Sequence, residues 1–345
     1  MRISSRGVRA LLAWYRKGGR DLPWRRTRDP YSIWISEVML QQTRVSTVVP
    51  YFLRFMRRFP NVRSLARAKL QAVLKAWQGL GYYARARNLR EAARRIVGGG
   101  GFPRSAAAWR RLPGVGEYTA SAVASITLGE PVAVFDGNVR RVAARLSGGE
   151  TGLREIVQAS LDRRSPGDYN QALMELGQVV CRPLDPGCPS CPLRGECRWF
   201  RSGRRRPMPA PRPAAPRPHR EIGVGVVRRA GRILVGRRPE SGLLGGLWEF
   251  PGGKRRRGER IERTVEREVF EETGVRVSVG DPLTTVAHSY SHFDVTLRVF
   301  DCRAIGGRAR PIGCDEVRWI RPGALGRLPF PAANVRIIEA ILRPK

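Results

Sequence analysis

Cys181, Cys188, Cys191 and Cys197 crowd into residues 181–197 with the spacing C-x6-C-x2-C-x5-C. Thiolates gathered this tightly in a Pro-punctuated loop can surround one soft metal centre. Zinc modules usually pair two short steps across a longer arm, whereas these steps run long, short, medium. The spacing therefore favours a [4Fe–4S] cluster over zinc. A disulfide knot is the remaining alternative; it needs an oxidising compartment, and the N-terminal segment carries no apolar signal core.

Two carboxylates stand where they could do acid–base and electrostatic work. Glu37, in Trp34-Ile-Ser-Glu-Val-Met-Leu-Gln-Gln-Thr-Arg44, shares a helical face with Ile33 and Leu40. An apolar setting raises a carboxyl's pKa, and a protonated carboxyl can donate to a purine ring nitrogen and make it a leaving group. Asp136, in Val134-Phe-Asp-Gly-Asn-Val-Arg-Arg141, reads as a helix N-cap. A carboxylate there stays ionised and can stabilise positive charge on a sugar losing its base. Between them, Leu112-Pro-Gly-Val-Gly-Glu-Tyr-Thr-Ala120 forms a tight turn between two helices. Gly114 and Gly116 let the backbone bend sharply and approach a ligand, and the N–H groups of the helix that follows suit a DNA phosphate.

The cysteine loop and the LPGVG turn, with its Thr/Ala-rich helix, resemble the cluster loop and helix-hairpin-helix of the endonuclease III superfamily of DNA repair enzymes. WISEVMLQQT, with LPWR before it and GLGYYARARNL (79–89) after it, resembles the adenine DNA glycosylase family of the MutY type, over residues 8–200. That family removes adenine mispaired with 8-oxoguanine or guanine in double-stranded DNA. The resemblance implies that Glu37 is the general acid and that Asp136 stabilises an oxocarbenium-like intermediate. Tyr118 matches a tyrosine found beside them in some members, and Asn138 a residue that holds the catalytic water or aspartate. Arg20, Trp24, Arg25, Leu40, Val45 and Gln171 would line the pocket for flipped-out adenine. Gln42 and Tyr82 would wedge into the base stack. Superfamily members that also cut the backbone carry a Lys where this chain has Tyr118. Tyr118 offers no amine and Arg140 stays protonated, so the implied chemistry is monofunctional base removal.

The C-terminal part is similar to MutT-type Nudix hydrolases. Gly253 to Val275 fits the pattern G-x5-E-x7-R-E-U-x-E-E-x-G-U, in which U is a bulky aliphatic residue. Glu268, Glu271 and Glu272 then share one helical face, where mutual repulsion calls for a cation such as Mg²⁺ or Mn²⁺. Tyr290, Ser291 and His292 stand where the glycosylase family carries a Phe-Ser-His loop that reads 8-oxoguanine. Phe330-Pro-Ala-Ala-Asn334 resembles the MutT-type segment whose asparagine recognises the same base, and Arg237 or Arg238 would reach phosphate. A pyrophosphohydrolase acting on oxidised purine triphosphates such as 8-oxo-dGTP is the alternative function. Against it, Gly313 stands roughly where the hydrolases place a further metal-binding glutamate, although Asp315 and Glu316 are close.

Apolar residues recur at helical spacing before residue 200, as in Trp34, Val38 and Val45; Leu65, Val73 and Trp77; and Val139, Val142 and Leu146. After residue 220 come β-rich runs beginning at Ile222, Arg232 and Asp294. The expected architecture is multidomain. An all-α helix-hairpin-helix domain with its cluster loop (1–200) leads through a Pro/Arg-rich connector (201–220) to an α+β Nudix-fold domain (221–345). The 345 residues carry 64 Lys+Arg against 29 Asp+Glu, a net charge of +35, which favours a polyanionic partner. No apolar run approaches membrane-spanning length, so a soluble, cytoplasmic monomer is expected.

Overall fold

The structure, a computed structural model, describes residues 2–203, 208–209, 216–290 and 293–343. Its helices are α1 (Ser5–Gly18), α2 (Pro30–Leu40), α3 (Val45–Arg58), α4 (Val62–Arg67), α5 (Leu70–Trp77), α6 (Ala84–Gly98) and α7 (Ala106–Trp109). They continue with α8 (Glu117–Leu128), α9 (Gly137–Ser147), α10 (Leu153–Ala159), α11 (Pro166–Val179), α12 (Arg198–Arg201), α13 (Ile261–Thr273) and α14 (Ala332–Leu342). The strands are β1 (His219–Arg229), β2 (Arg232–Arg237), β3 (Trp248–Glu249), β4 (Gly252–Lys254), β5 (Arg276–Ser289), β6 (Asp294–Gly306) and β7 (Glu316–Ile320). Helices before residue 202 and strands from 219 onward match the expected fold class.

The chain divides into two compact units. One comprises 1–67 with 88–213, the other 68–87 with 214–345. In the second unit, Trp248 Nε1 donates to Gln71 Oε1 and Gln71 Nε2 donates to the Gly246 carbonyl, tying α5 to the strand residues. Two of the helical patterns span helix breaks. The helix holding Trp34 and Val38 stops at Leu40, and Gln42 turns the chain with φ +57° before Val45 opens α3. Leu65 belongs to α4, while Val73 and Trp77 belong to α5. The segment expected as the connector runs between Arg201, which ends α12, and His219, which starts β1. Residues 204–207 and 210–215 lie outside the described residues.

The helical unit closes on a core in which α8, α9 and α11 converge, with Ala122, Val139, Val142, Tyr169 and Leu173 buried together. Gly177 permits a close approach of α11 to α9, because a Cβ there would meet Asn138 Cβ at 2.7 Å. In the second unit β1 runs parallel to β6 and antiparallel to β2 and β4, giving the order β3-β2-β1-β6-β5. Successive side chains of β1 point to opposite faces. Val224 and Val226 join the core beneath α14, whereas Gly223 and Gly225 leave room for Val265 and Val269 of α13. Among the described residues no helix is long and apolar enough to cross a membrane.

Candidate active site

Asp29 starts α2 by accepting from the N–H groups of Tyr31 and Ser32, with Pro30 in the first turn. Residues 31–39 are all buried, so Glu37 is carried into the interior by a helix without a solvated face. Burial pushes the Glu37 carboxyl up to about 7; a hydrogen bond from Tyr118 opposes this and the nearby Asp136 adds to it. The Tyr118 hydroxyl, in the first turn of α8, donates to Glu37 Oε2 at 2.8 Å and touches Met174 Sδ at 3.3 Å.

Asp136 caps α9. Its Oδ1 accepts from Val139 N at 2.7 Å and its Oδ2 from Asn138 Nδ2 at 2.8 Å. Asn138 Oδ1 accepts in turn from Arg141, which also donates to the carbonyls of Gly177 and Cys181. The strap before Asp136 is pinned by the buried Asn170, which accepts from Val134 N and donates to the Val132 carbonyl and Ser125 Oγ. The aspartate is thus held by contacts from α9, α11 and the loop after α11.

Glu37, Tyr118, Asp136 and Asn138 open onto one cavity of about 1150 Å³. Arg20, Trp24, Arg25, Leu40, Val45, Gln171 and Gln42 line it as well, so the structure gathers eleven of the residues singled out by sequence. Trp24 is also part of the core, packed edge-on against Phe52. One element escaped the sequence reading. Glu175 of α11 is buried behind the cavity-lining Arg20 and Arg25, receives Arg20 at 2.6 Å and Arg25 at 2.8 Å, and fixes both guanidiniums. Burial pushes its carboxyl up, but the two arginines overcome this and hold it at about 2. Glu175 lies one turn beyond Gln171 on the same helix face, a signal that helical spacing offered. Arg141, Asn170 and Met174 were missed in the same way.

Gly114 has φ +72°, and a Cβ there would meet Asn88 Cβ at 2.7 Å, so the turn requires glycine. Gly116 is the N-cap of α8, with no side-chain cap and open space around its Cα. The N–H groups of that helix end are left for a ligand. Gln42 (φ +57°) and Tyr82 (φ +50°) are both non-glycine residues in the left-handed region, an uncommon backbone state that concentrates at functional positions. Tyr82 belongs to the second unit and is 41% exposed.

All four loop cysteines are free thiols lining one small pocket, together with Arg145, Arg194 and Trp199. Among the described residues, no three His, Cys, Asp or Glu side chains converge as they would on a single ion.

In the second unit, Glu268 and Glu271 share Arg267, which also pairs with Glu259. Glu272 is turned inward and accepts from Gly252 N. Burial, with Glu249 and Glu268 nearby, pushes Glu272 up to about 8. Arg237 and Arg238, expected to reach phosphate, are instead paired with Glu316 and Glu249. Asn334 Oδ1 accepts from Phe250 N, and Phe330 is a core residue stacked on Phe250. Tyr290 packs between His288 and Phe293, while Ser291 and His292 lie outside the described residues.

Residues 35–166 match the HhH-GPD superfamily of base excision DNA repair proteins, and residues 223–340 match the NUDIX domain. The adenine DNA glycosylase of Rattus norvegicus is 36% identical, over 90% of this chain and 73% of its own length. That of Homo sapiens is also 36% identical, over 90% and 69%. A solved thermostable thymine-DNA glycosylase covers 56% of this chain and 95% of its own, at 30% identity and a TM-score of 0.53. An endonuclease III–DNA complex, at 22% identity and a TM-score of 0.50 over 57% and 94%, shares the helical fold.

Proposed function

The chain belongs to the adenine DNA glycosylase family, and on that basis we propose that it excises adenine mispaired with 8-oxoguanine or guanine in duplex DNA. The observation that carries this reading is the buried Glu37 carboxyl, held near 7 and facing the same cavity as Asp136. Flipped-out adenine enters the cavity, and the protonated Glu37 donates its proton to a ring nitrogen as the glycosidic bond breaks. Asp136, oriented by Val139 N and Asn138, offsets the positive charge that develops on the sugar. Tyr118 orients the Glu37 carboxyl. Water adds to the sugar and an abasic site remains, because the first turn of α8 offers no amine. The uncapped start of α8 at Gly116 suits a backbone phosphate, and Gln42 and Tyr82 suit insertion into the stack.

The four free cysteines fit a [4Fe–4S] cluster. They line one pocket, and their long, short, medium spacing suits a multi-atom centre better than zinc. Bound there, the cluster would tie residues 181–197 into one rigid loop. Metal analysis of anaerobically purified protein tests this: iron without zinc supports it, and stoichiometric zinc without iron overturns it.

The test of the main reading is adenine release from a duplex containing A opposite 8-oxoguanine, with strand cleavage appearing only after alkali. No release under single-turnover conditions would sink it. Glu272 gives one specific ground for a second activity. A half-buried carboxyl with Glu249 and Glu268 nearby, only partly offset by Arg238 and the Gly252 N–H, would be relieved by Mg²⁺ or Mn²⁺. Hydrolysis of 8-oxo-dGTP by the natural protein and not by Glu271→Gln would establish it. No turnover by either would leave the second unit as a reader of 8-oxoguanine in DNA, with Tyr290, Ser291 and His292 as its contact loop.

A further inference from the structure

Arg145 lies inside α9 with only 2% of its surface exposed. Its Nε donates to the Met208 carbonyl at 3.0 Å, and its Nη2 to the Pro183 carbonyl at 2.8 Å. Nη1 donates to the Arg182 carbonyl at 2.8 Å and points at Cys181 Sγ, 3.3 Å away. The guanidinium carbon sits 4.9 Å from the Trp199 ring centre. Among the described residues no carboxylate pairs with it.

A buried guanidinium without a counter-ion is strongly unfavourable, and arginine does not escape by losing its proton. Carbonyl dipoles and an aromatic face supply partial compensation. The groups near it that can carry a full negative charge are cysteine sulfurs: Cys181 Sγ lies in direct hydrogen-bond contact, and Cys188 also feels the guanidinium charge. A neutral thiol would leave the charge unbalanced, whereas a thiolate bound to a metal centre balances it. Arg141, one turn earlier on α9, also donates to the Cys181 carbonyl but is engaged with Asn138. Arg145 therefore faces the sulfur itself.

We propose that Arg145 is the built-in counter-ion of the thiolate-ligated centre. It donates an N–H···S hydrogen bond to Cys181, and its charge raises the reduction potential of the centre and protects it from oxidative loss. Hydrogen bonds to ligand sulfurs and nearby positive charge both stabilise the more reduced, more negative state. Arg145 is a positioning residue and takes no part in base removal. The inference rests on reading the four cysteines as cluster ligands.

The test uses the full-length protein and the variants Arg145→Gln and Arg145→Lys. Iron and zinc content, the reduction potential by protein-film voltammetry and the rate of bleaching by ferricyanide are measured for each. Arg145→Gln should shift the potential negative and bleach severalfold faster. Arg145→Lys, which keeps the charge, should stay closer to the natural protein. An unmoved potential in Arg145→Gln, or equal shifts in both variants, would overturn the proposal and leave Arg145 as a loop clamp.

If Arg145→Gln does not fold, electron–nuclear double resonance on the oxidised natural protein decides. An exchangeable proton coupled to the cluster, and altered in Arg145→Lys, supports the hydrogen bond; no such proton overturns it. Zinc without iron in the natural protein would remove the cluster reading itself. An iron-loaded protein with an indifferent Arg145 would remove this inference alone.

Discussion

Tyr118 and Glu37, 81 residues apart, meet through a 2.8 Å hydrogen bond in which the phenol donates to Oε2. The bond lowers the glutamate's pKa against the stronger upward push of burial. Removing it has a readable sign. Tyr118→Phe should raise the Glu37 pKa and move the alkaline limb of excision to higher pH, while slowing the reaction through lost orientation. A pH profile of single-turnover excision checks this; an unshifted limb would show that the phenol does not act on the carboxyl. Tyr118→Lys places an amine there, and borohydride should then trap a covalent DNA adduct that the natural protein does not form.

Asp136 depends on how closely α11 approaches α9. Gly177→Ala would drive a Cβ into Asn138 Cβ at 2.7 Å and disturb the residue that donates to Asp136. Overpacking of this kind costs about 1–3 kcal/mol. Melting temperature and excision rate should both fall, whereas Asp136→Asn should lose excision and keep its melting temperature near normal.

Glu175 neutralises two arginines at the cavity wall. Glu175→Ala removes the counter-ion of the largely buried Arg25 and of the more exposed Arg20, which keeps Gln178. Breaking a buried pair from one side costs about 3–5 kcal/mol, and the exposure of Arg20 keeps the loss toward the low end. Urea denaturation measures the loss. A variant as stable as the natural protein would mean that the arginines find other partners.

Glu175 and Glu37 give stability opposite pH slopes. Glu175 is lowered from 4.5 to about 2, so its stabilisation is present above 4.5 and lost as pH falls through 2. Glu37 is raised from 4.5 to about 7, so its contribution is present below 4.5 and lost as pH rises through 7. Denaturation midpoints measured from pH 4 to 8 should decline for the natural protein over the Glu37 window. Glu37→Gln should flatten that decline; an identical decline in the variant would exclude Glu37 as its source.

What was legible in the sequence is what local pattern encodes. Glu37 beside Ile33 and Leu40, Asp136 as an N-cap and Gly114 in a tight turn each follow from short-range spacing. The strand runs at Ile222, Arg232 and Asp294 also emerged as read. The Glu175 clamp was hidden because Arg20 and Arg25 lie 155 and 150 residues upstream and meet it only after the helices close. The break after Leu40 was hidden because apolar periodicity continues from Trp34 to Val45, whereas the left-handed φ of Gln42 leaves no compositional trace. The pairing of Arg238 with Glu249 is likewise tertiary, and it took up a side chain that resemblance had assigned to phosphate.

If a buried, protonated Glu37 drives base removal, the pH dependence of single-turnover adenine excision must report the loss of its proton. The natural protein should lose rate as pH rises through about 7, the value at which Glu37 gives up its proton. Glu37→Gln should fall by about 10²–10⁴-fold and lose that limb altogether. A natural rate that stays flat through this range, or a Glu37→Gln variant that excises adenine near the natural rate, would contradict the account.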